Sequence, residues 1–304
     1  MKYRFMSVAL IVAVSLGIVS FAPAEEKQEK DGWLAMAEAT PLQPGEEPEA
    51  EVKKPLPVSF AIDYTLVSDY IWRGINLSEY AGEGREALNH QLGVTVSYET
   101  EKMGTFSANV WFEWYADNDQ FASPGSVDDG KLQEVDYTLS WAYDIPDTPV
   151  SIELGWILYQ FPQFEDSDAE TTQDVYLSIS VNDGFLFGKD EGVLNPYFAY
   201  YLDVDDVRAS WMEFGISHDF AVVENLTVSP SLVLGIDHRY VTGSTKLANL
   251  TYGLGVSYDL SSALNIPEKY GALSIGGFVN YSQALADDAL NDEFYGGMNL
   301  GWSW

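Results

Sequence analysis

The chain has 304 residues, with 47 acidic against 15 basic side chains and a formal charge of -32 at pH 7. That surplus repels nucleic acid and favours cations, and a count of Cys 0 excludes disulfides, thiol nucleophiles and thiolate metal sites. Aromatic residues reach 14%, with Tyr 19 and Trp 9, enough to furnish two interfacial girdles of a membrane protein.

At the N-terminus, Lys2 and Arg4 precede an apolar run from Val8 to Phe21, and Ala22-Pro23-Ala24 follows with small residues at the spacing a signal peptidase reads. Residues 1–24 are therefore expected to be a cleaved secretory signal. No later stretch approaches the roughly 18 continuous apolar residues of a spanning helix, so any further insertion must use strands. Residues 25–57 mix Pro41, Pro44, Pro48, Pro55 and Pro57 with Glu, Lys and Ala. Such a composition buries too little apolar surface to offset its ordering entropy and reads as an acidic, Pro-rich periplasmic linker.

From Val58 to Trp304 the hydrophobic period is two. Phe60, Ile62, Tyr64 and Leu66 share a face that continues through Tyr70 and Trp72, opposed by Asp63, Thr65, Asp69 and Arg73. The same alternation recurs through the chain to the last strand, where Phe294, Met298, Leu300, Trp302 and Trp304 oppose Glu293, Tyr295, Asn299 and Ser303. An apolar face running to an aromatic C-terminus is ill suited to a soluble sandwich and well suited to a lipid-facing strand. We expect an all-β fold, a transmembrane antiparallel up-and-down barrel of about 12 strands, occupying residues 58–304. The links support it: tight ones at 101–104, 144–148 and 222–225 alternate with long ones at 75–87, 116–130 and 162–171. The long link at 182–193 and the short one at 203–207 break the alternation.

Two segments resemble a known family. Ser68-Asp69-Tyr70-Ile71-Trp72-Arg73-Gly74-Ile75-Asn76 and Gly155-Trp156-Ile157-Leu158-Tyr159-Gln160-Phe161-Pro162 are similar to stretches of the outer-membrane porins of the TorF (Gcw_chp) family. The resemblance implies an exported outer-membrane barrel of a Gram-negative-type bacterium with a channel role. Asn76 departs from it, since Ser is expected there, and so does the acidic linker.

Strand parity then assigns candidate site residues. Asp63, Asp69, Arg73, Glu113, Glu134, Asp136, Glu153, Asp174, Glu213 and Glu293 are expected to line the lumen as pore-lining or selectivity residues, with Glu99, Asp203, Asp237 and Asp259 on the same face. Rings of carboxylates are a means of cation selection. Arg73 is expected to pair with a carboxylate from another strand, Glu293 first, and Glu113 and Glu134 to sit at the mouth. The loop after Glu113 carries Asp117, Asn118, Asp119, Asp128 and Asp129 but lacks the spacing of a calcium-binding loop. His90, His218 and His238 fall on the lipid parity, with no Gly-x-Ser-x-Gly elbow and no His-Glu-x-x-His helix, which argues against catalysis. The reading is thus a non-enzymatic, cofactor-free porin-like channel for small polar, cationic solutes, in contact with outer-membrane lipid. The last strand would address the barrel-assembly machinery, and no nucleic-acid partner is expected. The alternative is a non-conducting structural or ligand-binding barrel, because Trp111, Tyr115, Tyr159, Tyr176, Tyr197, Tyr201 and Tyr295 point inward on the same parity.

Overall fold

The computed structural model describes residues 57–80, 88–115, 132–162 and 171–304. The expected signal, the linker up to residue 56 and the acidic loop 116–131 lie outside the described residues. No helix among the described residues is long and apolar enough to cross a membrane, which says nothing about strands.

The strands are β1 (Val58–Val67), β2 (Asn89–Thr100), β3 (Gly104–Tyr115), β4 (Leu132–Asp144), β5 (Val150–Gln160), β6 (Thr171–Val181), β7 (Tyr197–Asp203), β8 (Ser210–Ser217), β9 (Leu226–His238), β10 (Thr245–Asp259), β11 (Ala272–Ala284) and β12 (Glu293–Ser303). Each pairs antiparallel with its sequence neighbours, and β12 returns to β1 with Ala61 opposite Ser303 and Val67 opposite Gly297. The sheet counts 13 strands only because Phe220–Val223 continues β8 along β9 after a break; merging the two leaves 12 in a closed ring. Closure removes the edge that a curled sheet would otherwise expose to aggregation.

The break has a local cause. Pro230 in β9 has no N–H to give to its neighbour, and where it lies β8 stops at Ser217, resuming at Phe220 after His218 donates its backbone N–H to the Pro230 carbonyl at 3.2 Å. At the start of β3, Gly104 is at φ 79 with the Ala142 carbonyl where a Cβ would lie, so the position requires glycine.

Alternation follows the sequence. Leu139, Phe294 and Met298 are 55%, 70% and 61% exposed, whereas Thr65, Trp111 and Asp174 are 2%, 1% and 0% exposed. A band of outward apolar side chains around an inward polar face is what a bilayer demands of a barrel, since every backbone polar group is satisfied between strands. Two of the links at the short-turn end are structured. Residues 182–196 hold a short helix, Gly184–Phe187, and are folded back by the Asp183 carboxylate, which accepts N–H groups of Val193, Leu194 and Asn195 at 2.7, 3.0 and 3.2 Å. The link after β10 holds the helix Leu260–Leu264, capped by Asp259 accepting the Ser262 N–H at 3.0 Å.

Candidate functional site

β1 ends at Val67, six residues earlier than alternation indicates, and this corrects the placing of Tyr70 and Trp72 on the lipid face. Ser68 still holds the seam, donating its N–H to Gly296 and accepting the Gly296 N–H on its hydroxyl. The chain then turns into the lumen. Ile71–Trp72 and Ile75–Asn76 pair as a miniature hairpin, joined by Arg73 at φ 51 and Gly74 at φ 80. Two consecutive positive φ angles make a type I′ turn, whose twist matches tight hairpins. Placing a non-glycine residue there costs about 1 kcal/mol, and the contacts of Arg73 offset it.

Those contacts lie on the far wall. Arg73 Nη2 donates to Asp174 Oδ2 at 2.6 Å, with both side chains buried. The Tyr159 and Tyr240 hydroxyls donate to the same carboxylate at 3.2 and 2.7 Å. Three aromatic faces surround the guanidinium, with Tyr240, Trp72 and Tyr201 centroids at 4.2, 4.3 and 5.2 Å from Cζ. Distances of this order put each ring within cation–π range. A carboxylate of another strand is indeed the partner, but Glu293 is not the one. Glu293 instead accepts from Asn76 Nδ2 at 3.2 Å, and the same amide lies 3.4 Å from Asp69 Oδ1. An amide can donate twice where a Ser hydroxyl donates once, which gives Asn76 a local reason.

Apolar packing seats the hairpin. Ile71 joins Val67 and Tyr295, with Phe278 against them. Ile75 packs on the cluster of Ile157, Tyr159, Tyr201, Trp211 and Leu290, and Gly74 approaches so closely that a Cβ would lie 3.1 Å from Leu290 Cδ1 and 3.2 Å from Asn249 Cγ. Ser78 ties off the insertion, its hydroxyl accepting the Tyr70 N–H at 2.8 Å and the Asn89 amide at 2.6 Å.

Below the hairpin lies a set of three acids. Glu113 faces Glu134 across the β3–β4 register and Trp111 faces Asp136, with a bulge just beyond at Trp114. These residues sit at the strand ends, as expected, but are buried rather than open at a mouth: Glu113 and Asp136 are each 1% exposed. Tyr70 covers them, its ring 5.5 Å from that of Trp111. Other inward acids have structural partners. Glu153 accepts the Tyr176 hydroxyl at 2.7 Å and Glu213 the Trp211 indole N–H at 2.9 Å. Asp203 accepts the N–H groups of Val207 and Arg208, and Asp237 those of Tyr240 and Thr242, so both cap loops; Asp259 caps a helix.

Asp63 lies on the inward parity and is half-buried, like Thr95, Asn109 and Ser140. At the hairpin level the inward side chains are almost wholly enclosed. Arg73 is the only basic residue among the buried residues described. Tyr70 and Trp72 keep the two-residue period of β1, which conceals the hairpin; the Arg-Gly pair between apolar residues is the local signal of a turn. His90 does lie on the outer face, stacked on Trp114 at 5.5 Å.

No protein-family profile matches the chain, and no curated protein matches it. Among solved structures, the barrel is similar to the COG4313 outer membrane channel from Pseudomonas putida F1, at 8% identity and TM-score 0.49, covering 85% of this chain and 99% of that one. It is also similar to the NanC porin, at 10% identity and TM-score 0.45 with 80% and 98% covered. A third is the KdgM porin in complex with disordered oligogalacturonate, at 12% identity and TM-score 0.43 with 81% and 98% covered. At such identities and scores the likeness concerns barrel architecture alone.

Proposed function

We propose that the protein is a non-enzymatic outer-membrane channel for small polar solutes, preferring cations, and that the inserted hairpin is its constriction. The reading rests on one observation above others: the buried inward groups Asp69, Glu113, Glu134, Asp136, Glu153, Asp174 and Glu213 are acidic, and the single buried base among the described residues, Arg73, stands on the hairpin rather than on the wall. Carboxylates around a confined path lower the energy of a passing cation and raise that of an anion. The resemblance to TorF-family porins supports the same location and role, with export by a cleaved signal and assembly addressed through β12.

Purified protein in a planar bilayer under a KCl gradient tests this. A reversal potential of cation-selective sign is expected; anion selectivity would overturn the reading. Absence of any current, with the hairpin intact or loosened, would favour the closed structural barrel, which the enclosed aromatic level around Trp111, Tyr159 and Trp211 also suits.

A further inference from the structure

The place that Arg73 occupies is built like a receptor for an organic cation. Asp174 supplies a fully buried carboxylate whose oxygens are aimed by the hydroxyls of Tyr159 and Tyr240, so the acceptor is oriented independently of Arg73. Tyr240 and Tyr201 come from the wall and its loop, and Trp72 closes the third side. One guanidinium nitrogen, Nη1, has no hydrogen-bond partner although it is enclosed. The barrel thus holds the cation by charge and aromatic faces, and leaves one nitrogen without the hydrogen bond a purely structural arginine would be given. The turn that delivers it places arginine at a positive φ, a position it rarely takes, so the contacts of its guanidinium offset a local backbone cost.

The geometry points to a binding site for guanidinium-bearing or similar organic cations, formed by Asp174, Tyr159, Tyr201 and Tyr240 and occupied in this state by Arg73 as a tethered internal ligand. This rests on the channel reading only in naming such cations as the solutes that pass. A free cation must compete with a tethered one, whose effective concentration is of millimolar order or higher. Intact protein should therefore bind weakly, and protein lacking the Arg73 guanidinium should bind well.

The experiment is calorimetric titration of the full chain in detergent with methylguanidinium chloride at millimolar concentrations. Arg73→Gln keeps part of the stem packing and removes the charge; it should bind at least about tenfold more tightly than the intact protein, the gain expected on removing a tethered competitor. The double variant Arg73→Gln/Asp174→Asn should lose that gain. Equal affinity in all three, or no binding to folded Arg73→Gln, overturns the proposal. If Arg73→Gln does not fold alone, methylguanidinium added during refolding should restore folded barrel, seen as heat-modifiable gel mobility, and failure to do so overturns it equally. Binding needs no current, so a barrel that binds but does not conduct ends the channel reading and leaves the site, while cation current without binding does the reverse.

Discussion

Arg73 and Asp174 lie 101 positions apart in sequence and 2.6 Å apart in space, and the bond between them crosses the lumen. One partner stands on an inserted hairpin and the other on β6, so the pair fastens the insertion to the wall.

Breaking the pair from one side should cost more than removing it whole. Arg73→Ala leaves the Asp174 carboxylate buried without its cation, a loss of about 3–5 kcal/mol for such sites. Asp174→Asn, which keeps one of the two acceptor oxygens used by the tyrosines and strands the guanidinium, belongs in the same range. Urea unfolding of both variants and of the double variant checks this. The double should cost clearly less than the sum, the sign of direct coupling.

A pH effect is expected at the short-turn end. Burial pushes the Asp183 carboxyl up, but the N–H groups of Val193, Leu194 and Asn195 outweigh it and hold it below the usual carboxylate range. A depressed folded value means that the charged form stabilises the folded link. That contribution is complete above the unfolded value of about 3.9 and is lost as pH falls through the lower folded value. Hydrogen exchange at residues 193–195, corrected for intrinsic rate, should show protection falling on acidification in the intact protein, and no such step in Asp183→Asn.

The lipid face should reject charge. Leu254 is 44% exposed in the middle of β10, and arginine there should cost about 2–4 kcal/mol of folding into vesicles if it lies near the bilayer midplane. Serine at the same position should cost less. Equal stability of Leu254→Arg and the intact barrel would mean that this face does not meet hydrocarbon.

Inside the barrel, tyrosines lie across glycines of the facing strand. Gly155 is opposite Tyr176 and Gly215 opposite Tyr197, and a methyl at either glycine would run into the ring. Gly155→Ala should displace Tyr176 from Glu153, destabilising by about 1–3 kcal/mol as overpacking does. In a Tyr176→Leu background, which removes the hydroxyl contact, the same change should cost less; the urea midpoint is the readout.

Barrel architecture was legible because a two-residue period puts Phe60 and Ile62 outside and Asp63 and Thr65 inside without reference to anything distant. The same rule misplaced Tyr70 and Trp72, because period alone does not mark where a strand leaves its sheet. Arg73 was correctly read as needing a carboxylate. Choosing Asp174 over Glu293 required knowing how far the hairpin reaches across the lumen, which depends on Ile75 packing against Ile157 and Tyr201 rather than on any local pattern. The three lumen-parity acids Asp203, Asp237 and Asp259 turned out to be caps, since a carboxylate at a strand end can serve a loop's N–H groups as readily as a pore.

The inserted hairpin also bears on how the chain is built. Its residues follow the first strand, yet Asp174, Tyr201 and Tyr240 come much later, so the Arg73 guanidinium does not meet its carboxylate and rings until most of the wall exists. Long-range closure of this kind is slow. A hairpin already lying inside the curling sheet would act as a former around which later strands are laid, and sealing of β1 to β12 would enclose it. Biogenesis, rather than passage of solutes, is then where a damaged Arg73 would first be felt.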